Sequence, residues 1–210
     1  NLYYVGSESL ASFLIATPAG HILINTNWED SVETLRTSVE DLGFNFEDVE
    51  IILGSHAHGD HMQGDALVKE LTGASVMAMA DDIPGLQRIQ PGGKPHPIDR
   101  VLEDGDEVML GGSTLVARLT PGHTPGCTTW TMTVEEGEEI ALLPCDHIFG
   151  KEAILHWLKN KSSSCPVCRA SFDYREVKKE NEDTTHISDT SGDGMRQPRS
   201  LSRWLIEPSR

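Results

Sequence analysis

The amino-acid sequence predicts an α/β protein built in layers, and three observations support that prediction. Short apolar segments bounded by Gly, Pro and Asn alternate with stretches of helical periodicity as far as residue 134. The 210 residues are 38% hydrophobic, which is enough for one sizeable core and little more. Residues 1–140 carry 6 basic and 23 acidic side chains, net −17, whereas residues 141–210 carry 11 and 10, net +1. We therefore expect an α/β domain over residues 1–140 and a segment of a different kind after it.

Turn residues separate the first predicted strands. Residues 2–5, 11–17 and 21–25 are short apolar segments divided by glycine and proline, so they predict an antiparallel meander. Residues 49–53 are apolar apart from one glutamate, which favours a strand buried on both faces.

Helical spacing predicts two helices near these strands. The first is indicated by apolar residues three and four positions apart, at Val32, Leu35, Val39 and Leu42. Asp30 and Ser31 are its candidate N-caps, and Gly43 ends the pattern. A second helix is predicted over residues 63–72.

The rest of the domain is predicted to be mostly strand. Residues 75–79, 114–119 and 127–134 have the apolar, β-branched character of strands. Residues 84–97 are rich in Pro and Gly and predict a surface loop that borders a substrate cleft. Residues 173–210 are predicted to be a disordered tail, because large apolar side chains are almost absent from most of this segment.

Three imidazoles and a carboxylate fall within six positions, at His56, His58, Asp60 and His61. Such groups in one small volume must be hydrated, hydrogen-bonded or coordinated. In extended backbone, residues two apart project to the same side, so His56 and His58 are predicted to bind one cation. The cluster therefore indicates a metal site.

A third histidine completes this predicted site. His123 lies in the segment Thr-Pro-Gly-His-Thr-Pro-Gly, where proline and glycine favour a tight loop. Three neutral imidazoles and one solvent molecule make an open catalytic zinc site. Asp60 and His61 suit a second cation nearby, with the two metals sharing a hydroxide.

The remaining histidines are isolated in the sequence, and each is predicted to be exposed or hydrogen-bonded: His21, His96, His156 and His186. Cys127 lies in a strand-like segment and is predicted to be a buried small hydrophobic residue.

The His-x-His-x-Asp-His motif, Gly64 and the later Pro-Gly-His motif resemble those of the metallo-β-lactamase superfamily. Two segments, Gly-His-Ile-Leu-Ile-Asn and Leu-Thr-Pro-Gly-His-Thr-Pro-Gly-Cys-Thr-Thr-Trp-Thr-Met, resemble the lactamase subclass with three histidines at its first zinc. This resemblance covers residues 1–134.

The resemblance implies an αββα sandwich with the cluster at a sheet edge and a β-lactam as substrate. It implies that His56, His58 and His123 bind the first zinc ion, and that Asp60 and His61 bind the second. It also implies hydrolysis by a metal-bound hydroxide that Asp60 orients. The family pattern, including a further His ligand for the second zinc, does not continue in the sequence. We therefore predict a sandwich truncated in its second half, with impaired activity.

Residues 142–172 resemble the second half of a RING-type zinc finger. Four residues in this segment have the spacing of a structural zinc site: Cys145, His147, Cys165 and Cys168. The resemblance implies one bound zinc ion and a surface that engages a ubiquitin-conjugating enzyme. Two ligands of the other RING zinc site would fall at Gly150 and Ala153, and the upstream cysteines are also absent, so the finger is predicted to be partial.

A second alignment of this region is open. Residues 142–150 also resemble the Gly-Asp-(Thr/His) strand end of other hydrolases with the metallo-β-lactamase fold. In that alignment Asp146 would bridge two metal ions, but the Cys-Pro-Val-Cys-Arg segment would have no place.

The sequence leads to two hypotheses about function and one about how the chain arose. The first function is a zinc-dependent hydrolase of a small-molecule substrate, a β-lactam or another amide or ester. The second is a RING-like adaptor in ubiquitin transfer with an inactive lactamase-like scaffold. The hypothesis on origin is that pieces of two genes are joined between Val134 and Ile140, which a transcript read across that junction would test.

Composition and charge limit the kinds of partner that the chain is expected to bind. The acidic character of residues 1–140 argues against nucleic acid, since phosphate binding depends on clustered Lys and Arg. No apolar segment approaches the roughly 20 residues of a membrane helix. A lactamase would be exported or periplasmic, whereas a RING protein would be cytosolic or nuclear. The sequence begins at Asn1 without an initiator Met, so we expect the natural N-terminus to lie upstream.

Overall fold

The computed structural model describes residues 1–133 and the strand segments Ile140–Leu142 and Ile148–Gly150. The chain divides into two compact units, one of residues 1–133 with 204–210 and one of residues 134–203. Several predicted features lie outside the described residues: the ligands Cys145, His147, Cys165 and Cys168, Asp146 of the second alignment, and the tail at 173–210.

The larger sheet has six described strands, which follow one another in chain order. They are β1 (Leu2–Tyr4), β2 (Phe13–Thr17), β3 (Gly20–Ile24), β4 (Val49–Leu53), β5 (Ser75–Met79) and β6 (Arg100–Leu102). Strands β1 to β3 pair antiparallel, as the meander prediction requires. Strands β3 to β6 pair parallel, and β4 and β5 have the predicted bounds.

A second, antiparallel sheet contains β7 (Glu107–Leu110), β8 (Ser113–Leu119) and β9 (Thr128–Met132). The indole Nε1 of Trp130 donates to the carbonyl oxygen of Gly54 at 3.0 Å, and Thr128 N donates to Ser55 O at 2.8 Å. These bonds tie β9 to the segment that follows β4. In the other unit, β10 (Ile140–Leu142) and β11 (Ile148–Gly150) pair antiparallel.

Four α-helices are described: α1 (Val32–Asp41), α2 (Gly59–Met62), α3 (Asp65–Thr72) and α4 (Ile83–Leu86). Single 3₁₀ turns lie at Glu29–Ser31, Phe46–Asp48, Ala80–Asp82 and Pro91–Gly93. Among the described helices, none has both the length and the apolar character needed to cross a membrane.

Three sequence predictions differ in detail from the structure. Ser31 is the N-cap residue of α1, but its hydroxyl donates to Trp28 O at 2.7 Å and does not cap the helix. The helix predicted over residues 63–72 begins only at Asp65. The predicted surface loop at 84–97 contains most of α4, because Leu86 is an apolar side chain that packs fully buried against Ala57 and Met62.

Apolar side chains fill both faces of the larger sheet. On one face, strand residues pack with α1 and α3 in a core that includes Leu14, Leu23, Val32, Leu35, Val39, Ile52, Val68 and Val76. Residues of opposite parity, such as Ile15, Ile22, Ile24 and Leu53, are also fully buried. Since successive strand residues point to opposite faces, the sheet is covered on both sides. Helices α1 and α3 therefore form a layer over one face of the larger sheet.

The carboxyl ends of the parallel strands meet at one edge of the larger sheet. Residues 25–28 follow β3, residues 54–58 follow β4, and residues 80–82 follow β5. Ligands of open α/β sheets bind at this edge, because the loops that carry functional groups converge there. The His cluster lies in the loop after β4.

Candidate metal centre

His56 and His58 are brought together by a tight turn. The sequence analysis expected extended backbone, but His58 N donates to His56 O at 2.9 Å, which closes a three-residue turn around Ala57. The two rings nevertheless lie 4.9 Å apart between centroids. A turn therefore replaces strand geometry as the reason why both imidazoles face the same point.

Asp60 and His61 are carried by the short helix α2. His58 is its N-cap residue, in extended conformation, so the chain enters α2 directly from the first pair of histidines. His61 is buried, and its Nε2 lies 3.6 Å from Oδ2 of Asp60. Its carbonyl oxygen accepts from the backbone N–H groups of Thr26 and Asn27 at 2.9 and 3.0 Å. The loop after β3 therefore fixes α2.

His123 joins the cluster from the loop before β9, 62 positions beyond His61. Its ring centroid lies 4.7 Å from that of His56 and 4.6 Å from that of His58. Within this loop, Thr124 N donates to the Cys127 thiol at 3.2 Å, and Thr124 Oγ1 lies 3.3 Å from the same sulfur. Cys127 is buried, as predicted, and serves as an acceptor inside the loop.

Two overlapping groups of ligand atoms result. Potential ligand atoms of His56, His58 and His123 lie within 4.8 Å of one another, and so do those of His56, Asp60 and His61. Because His56 belongs to both groups, the described residues do not provide two independent sets of three ligands. The arrangement suits one well-held cation, with Asp60 and His61 as an incomplete second site.

The environment of His56 fits a metal ligand. Its side chain is buried and its Nε2 has no hydrogen-bond partner in the part of the chain that the structure describes, which is costly unless another species satisfies that atom. Burial, followed by the neighbouring His61, His123 and His58, lowers the pKa of His56 to about 3. Burial also lowers the pKa of His61. Neutral imidazoles with a free nitrogen are the form that coordinates a metal ion.

The hydroxyl of Ser55 lies within hydrogen-bond distance of two of the imidazole rings and orients them. Its Oγ lies 3.2 Å from Nδ1 of His56 and 3.4 Å from Nδ1 of His61. A partner at Nδ1 fixes ring orientation and tautomer, and leaves Nε2 for the cation. The position of Ser55 beside the cluster was visible in the sequence, but this role was not.

Sequence reasoning also missed three residues that support the cluster. Asn25 and Asn27 have φ of 63° and 60°, a left-handed conformation that Asn tolerates better than most residues. Asn25 Oδ1 accepts from Ser55 N at 2.9 Å. Asp82 is buried and accepts from the backbone between His56 and His58. An Asn pair directly after an apolar strand could have indicated the first two, whereas Asp82 had no such signal.

His21 and His96 lie outside the cluster, and His96 is hydrogen-bonded as predicted. The prediction is wrong for His21, which is buried and whose Nδ1 has no hydrogen-bond partner among the described residues. His96 Nε2 is 3.0 Å from Oδ2 of Asp65, and both side chains are fully buried. Thr26 Oγ1 donates to Oδ1 of the same aspartate at 2.6 Å. His21 packs edge-on against Phe44. His156 and His186 lie outside the described residues.

The fold has counterparts among solved structures. The native FEZ-1 metallo-β-lactamase from Legionella gormanii is 36% identical, with a TM-score of 0.61, and the match covers 88% of this chain and 71% of that one. The chain belongs to the metallo-β-lactamase superfamily. A further lactamase, GOB-18 from Elizabethkingia meningoseptica, is 34% identical with a TM-score of 0.62, over 66% of this chain and 55% of that one. The resemblance deduced for residues 1–134 is confirmed.

Curated relatives of this metallo-β-lactamase-like chain include proteins with other names. Hydroxyacylglutathione hydrolase from Hyphomonas neptunium is 32% identical over 113 residues, which are 50% of this chain and 40% of that protein. The chain spans 27% to 40% of the length of the first curated superfamily relatives that it matches.

A second family matches the later part of the chain. The Ring finger domain family matches residues 126–169, a segment that contains all four predicted RING ligands. The E3 ubiquitin-protein ligase RNF181 from Xenopus tropicalis is 41% identical over 61 residues, which are 27% of this chain and 38% of that protein. The match begins before residue 142 and includes the buried Cys127 and all of β9, both of which belong to the unit of residues 1–133.

Proposed function

We propose that this chain is a zinc-dependent hydrolase that opens an amide or ester bond of a small molecule, with a β-lactam as the first substrate to test. The convergence of His56, His58 and His123 around the unpartnered, buried Nε2 of His56 is the observation that carries this proposal. Three neutral imidazoles are the ligand set of an open catalytic zinc site.

The chain's own residues have distinct tasks in this proposal. His56, His58 and His123 would hold one zinc ion. When bound, zinc would supply Lewis acidity and would lower the pKa of water far below its usual value, to about 7. Asp60, whose side chain is 38% exposed beside His61, would accept a hydrogen bond from the attacking water and so orient it. His58 and His123 are exposed, so a substrate can approach from their side.

The second zinc position is proposed to be weak. Among the described residues, Asp60 and His61 reach a set of three ligands only by sharing His56 with the first group. Two cations cannot both use the single free nitrogen of that ring. We therefore expect one tight zinc ion in the lactamase-like unit and reduced turnover compared with an enzyme that holds two.

Zinc counting and a chromogenic substrate test this proposal together. We expect the purified full chain to retain tightly bound zinc after dialysis and to hydrolyse a chromogenic cephalosporin. His123→Ala should lose one zinc equivalent and the activity. A thioester substrate assayed in parallel would distinguish the substrate classes, since hydroxyacylglutathione hydrolase is among the relatives. Unchanged zinc content in His123→Ala would contradict the proposal.

A second function is proposed for the later segment, supported by the Ring finger domain match and by the similarity to RNF181. In this proposal Cys145, His147, Cys165 and Cys168 hold one structural zinc ion, and the segment binds a ubiquitin-conjugating enzyme. Cys168→Ser should then remove a different zinc equivalent from the one lost in His123→Ala, and should abolish that binding. Absence of binding by the unmodified, zinc-loaded chain to a panel of ubiquitin-conjugating enzymes would refute it.

A further inference from the structure

One buried carboxylate joins the two loops that carry the histidines. Oδ2 of Asp82 accepts from Ala57 N at 2.8 Å and from Thr124 Oγ1 at 2.9 Å, and Oδ1 accepts from Gly126 N at 2.8 Å. The residue is 3% exposed. Asp82 therefore binds three donors from two segments that are far apart in the sequence.

Two of these donors lie next to predicted ligands, and the third lies in the same loop as one. Ala57 is the residue between His56 and His58, and Thr124 follows His123 directly. Gly126 is part of the same loop as His123, and a Cβ at this position would lie 2.6 Å from Cγ of Asp82 and 2.7 Å from its Cβ. Only glycine allows the carboxylate to approach this closely.

We propose that Asp82 is a positioning residue that sets the distance and orientation of the His56–His58 turn relative to the His123 loop, and so determines the affinity of the three-His site for zinc. None of the hydrogen bonds described for Asp82 involves one of the three imidazoles. It acts through the peptide groups and the threonine hydroxyl beside them. This inference rests on the proposed three-His zinc site.

The geometry explains why a carboxylate is required at this position. All three neighbouring groups donate hydrogen bonds. An ionised carboxylate matches them, because both of its oxygens accept hydrogen bonds and neither donates. An amide in its place would direct an N–H group towards at least one donor. Asp82→Asn thus keeps the shape of the side chain but breaks at least one of its three bonds.

A matched control lies at the opposite end of β5. Asp99 Oδ2 accepts from Val76 N at 2.8 Å and from Lys69 Nζ at 2.7 Å, so it too is a carboxylate that holds backbone. No hydrogen bond described for Asp99 reaches the His cluster or the loops beside it. Asp99→Asn therefore makes the same chemical change at a carboxylate that has no described bond to the zinc site.

Zinc affinity of the full chain, measured by competition with a chelator, tests the proposal. The zinc that is present in the unmodified chain but absent from His123→Ala defines the three-His site. We expect Asp82→Asn to weaken zinc binding at this site by about 10- to 100-fold. Asp99→Asn should retain the affinity of the unmodified chain, and thermal unfolding of both variants compares their stability.

Thr124 provides a milder pair of variants should Asp82→Asn fail to fold. Thr124→Val removes one of the three bonds and should weaken zinc binding, whereas Thr124→Ser keeps the hydroxyl and should restore it. If Asp82→Asn folds and its zinc affinity is unchanged, this inference is overturned while the proposed hydrolase site stands. If only Thr124→Val folds, unchanged zinc affinity in that variant has the same consequence. If the unmodified chain held no more zinc than His123→Ala, both the proposed hydrolase site and this inference would be refuted.

Discussion

The imidazole rings of His56 and His61 lie 3.9 Å apart between centroids, at an interplanar angle of 50°, and Nδ1 of each faces the hydroxyl of Ser55. Two protonated rings at this distance would repel each other in a buried environment. This pair therefore favours the neutral state and holds the cluster ready for a cation. Four predictions follow from this and related contacts.

His56 should be neutral in the metal-free chain well below the usual pH of histidine protonation. Its pKa is lowered to about 3, so the unfolded chain binds the proton first. The contribution of His56 to the free energy of unfolding is present above about pH 6.5 and is lost as the pH falls towards 3. Between pH 7 and pH 5 this loss is about 2 kcal/mol. Urea unfolding at both values, compared with the non-titrating His56→Gln, measures this difference. An equal loss in both proteins would contradict the prediction.

Asp65 should show the opposite pH dependence. Burial raises the pKa of this carboxyl, against the opposing effects of His96 and Thr26. The folded chain therefore binds this proton more tightly than the unfolded chain, and the stability from this group is lost as the pH rises above about 4. We expect the stability advantage of the unmodified chain over Asp65→Asn to shrink as the pH is raised. Urea unfolding of both proteins from about pH 4 to about pH 8 tests the sign.

Ser55→Ala should weaken zinc binding, because it removes the partner of Nδ1 in both His56 and His61. Loss of such a partner typically costs about 10- to 100-fold in metal affinity. Ser12→Ala is the matched control, since Ser12 is fully buried and its hydroxyl has no hydrogen-bond partner. Equal zinc affinity in the two variants, measured by chelator competition, would refute the role of Ser55.

Asn25 should tolerate glycine better than alanine. Both substitutions remove the bond from Ser55 N to Asn25 Oδ1, but only alanine is strained at a φ of 63°. We expect Asn25→Ala to be less stable than Asn25→Gly by about 1 kcal/mol. Asn45, with a φ of −91°, is the control position, where alanine should be no less stable than glycine. Thermal unfolding of the four variants gives the comparison.

Local patterns predicted much of the fold. Strands β4 and β5 have the predicted bounds, because a continuous apolar segment between turn residues has little alternative to a buried strand. The helix with apolar residues Val32, Leu35 and Val39 was predicted from spacing alone. The presence of α4 was missed, since this four-residue helix depends on the burial of Leu86 against Met62 and Ala57 more than on its own periodicity. The start of α3 was placed two residues too early.

The sequence by itself determined the superfamily and the chemistry of the cluster, because the spacing of His56, His58, Asp60 and His61 is local and their imidazole and carboxylate groups have few other uses together. Only the tertiary structure decided that His56 is shared between two ligand groups, and that Asp82 and Asn25 hold the loops that carry them. The physical reason is that these contacts join segments 25 to 44 positions apart, whose meeting depends on the order of parallel strands in the sheet.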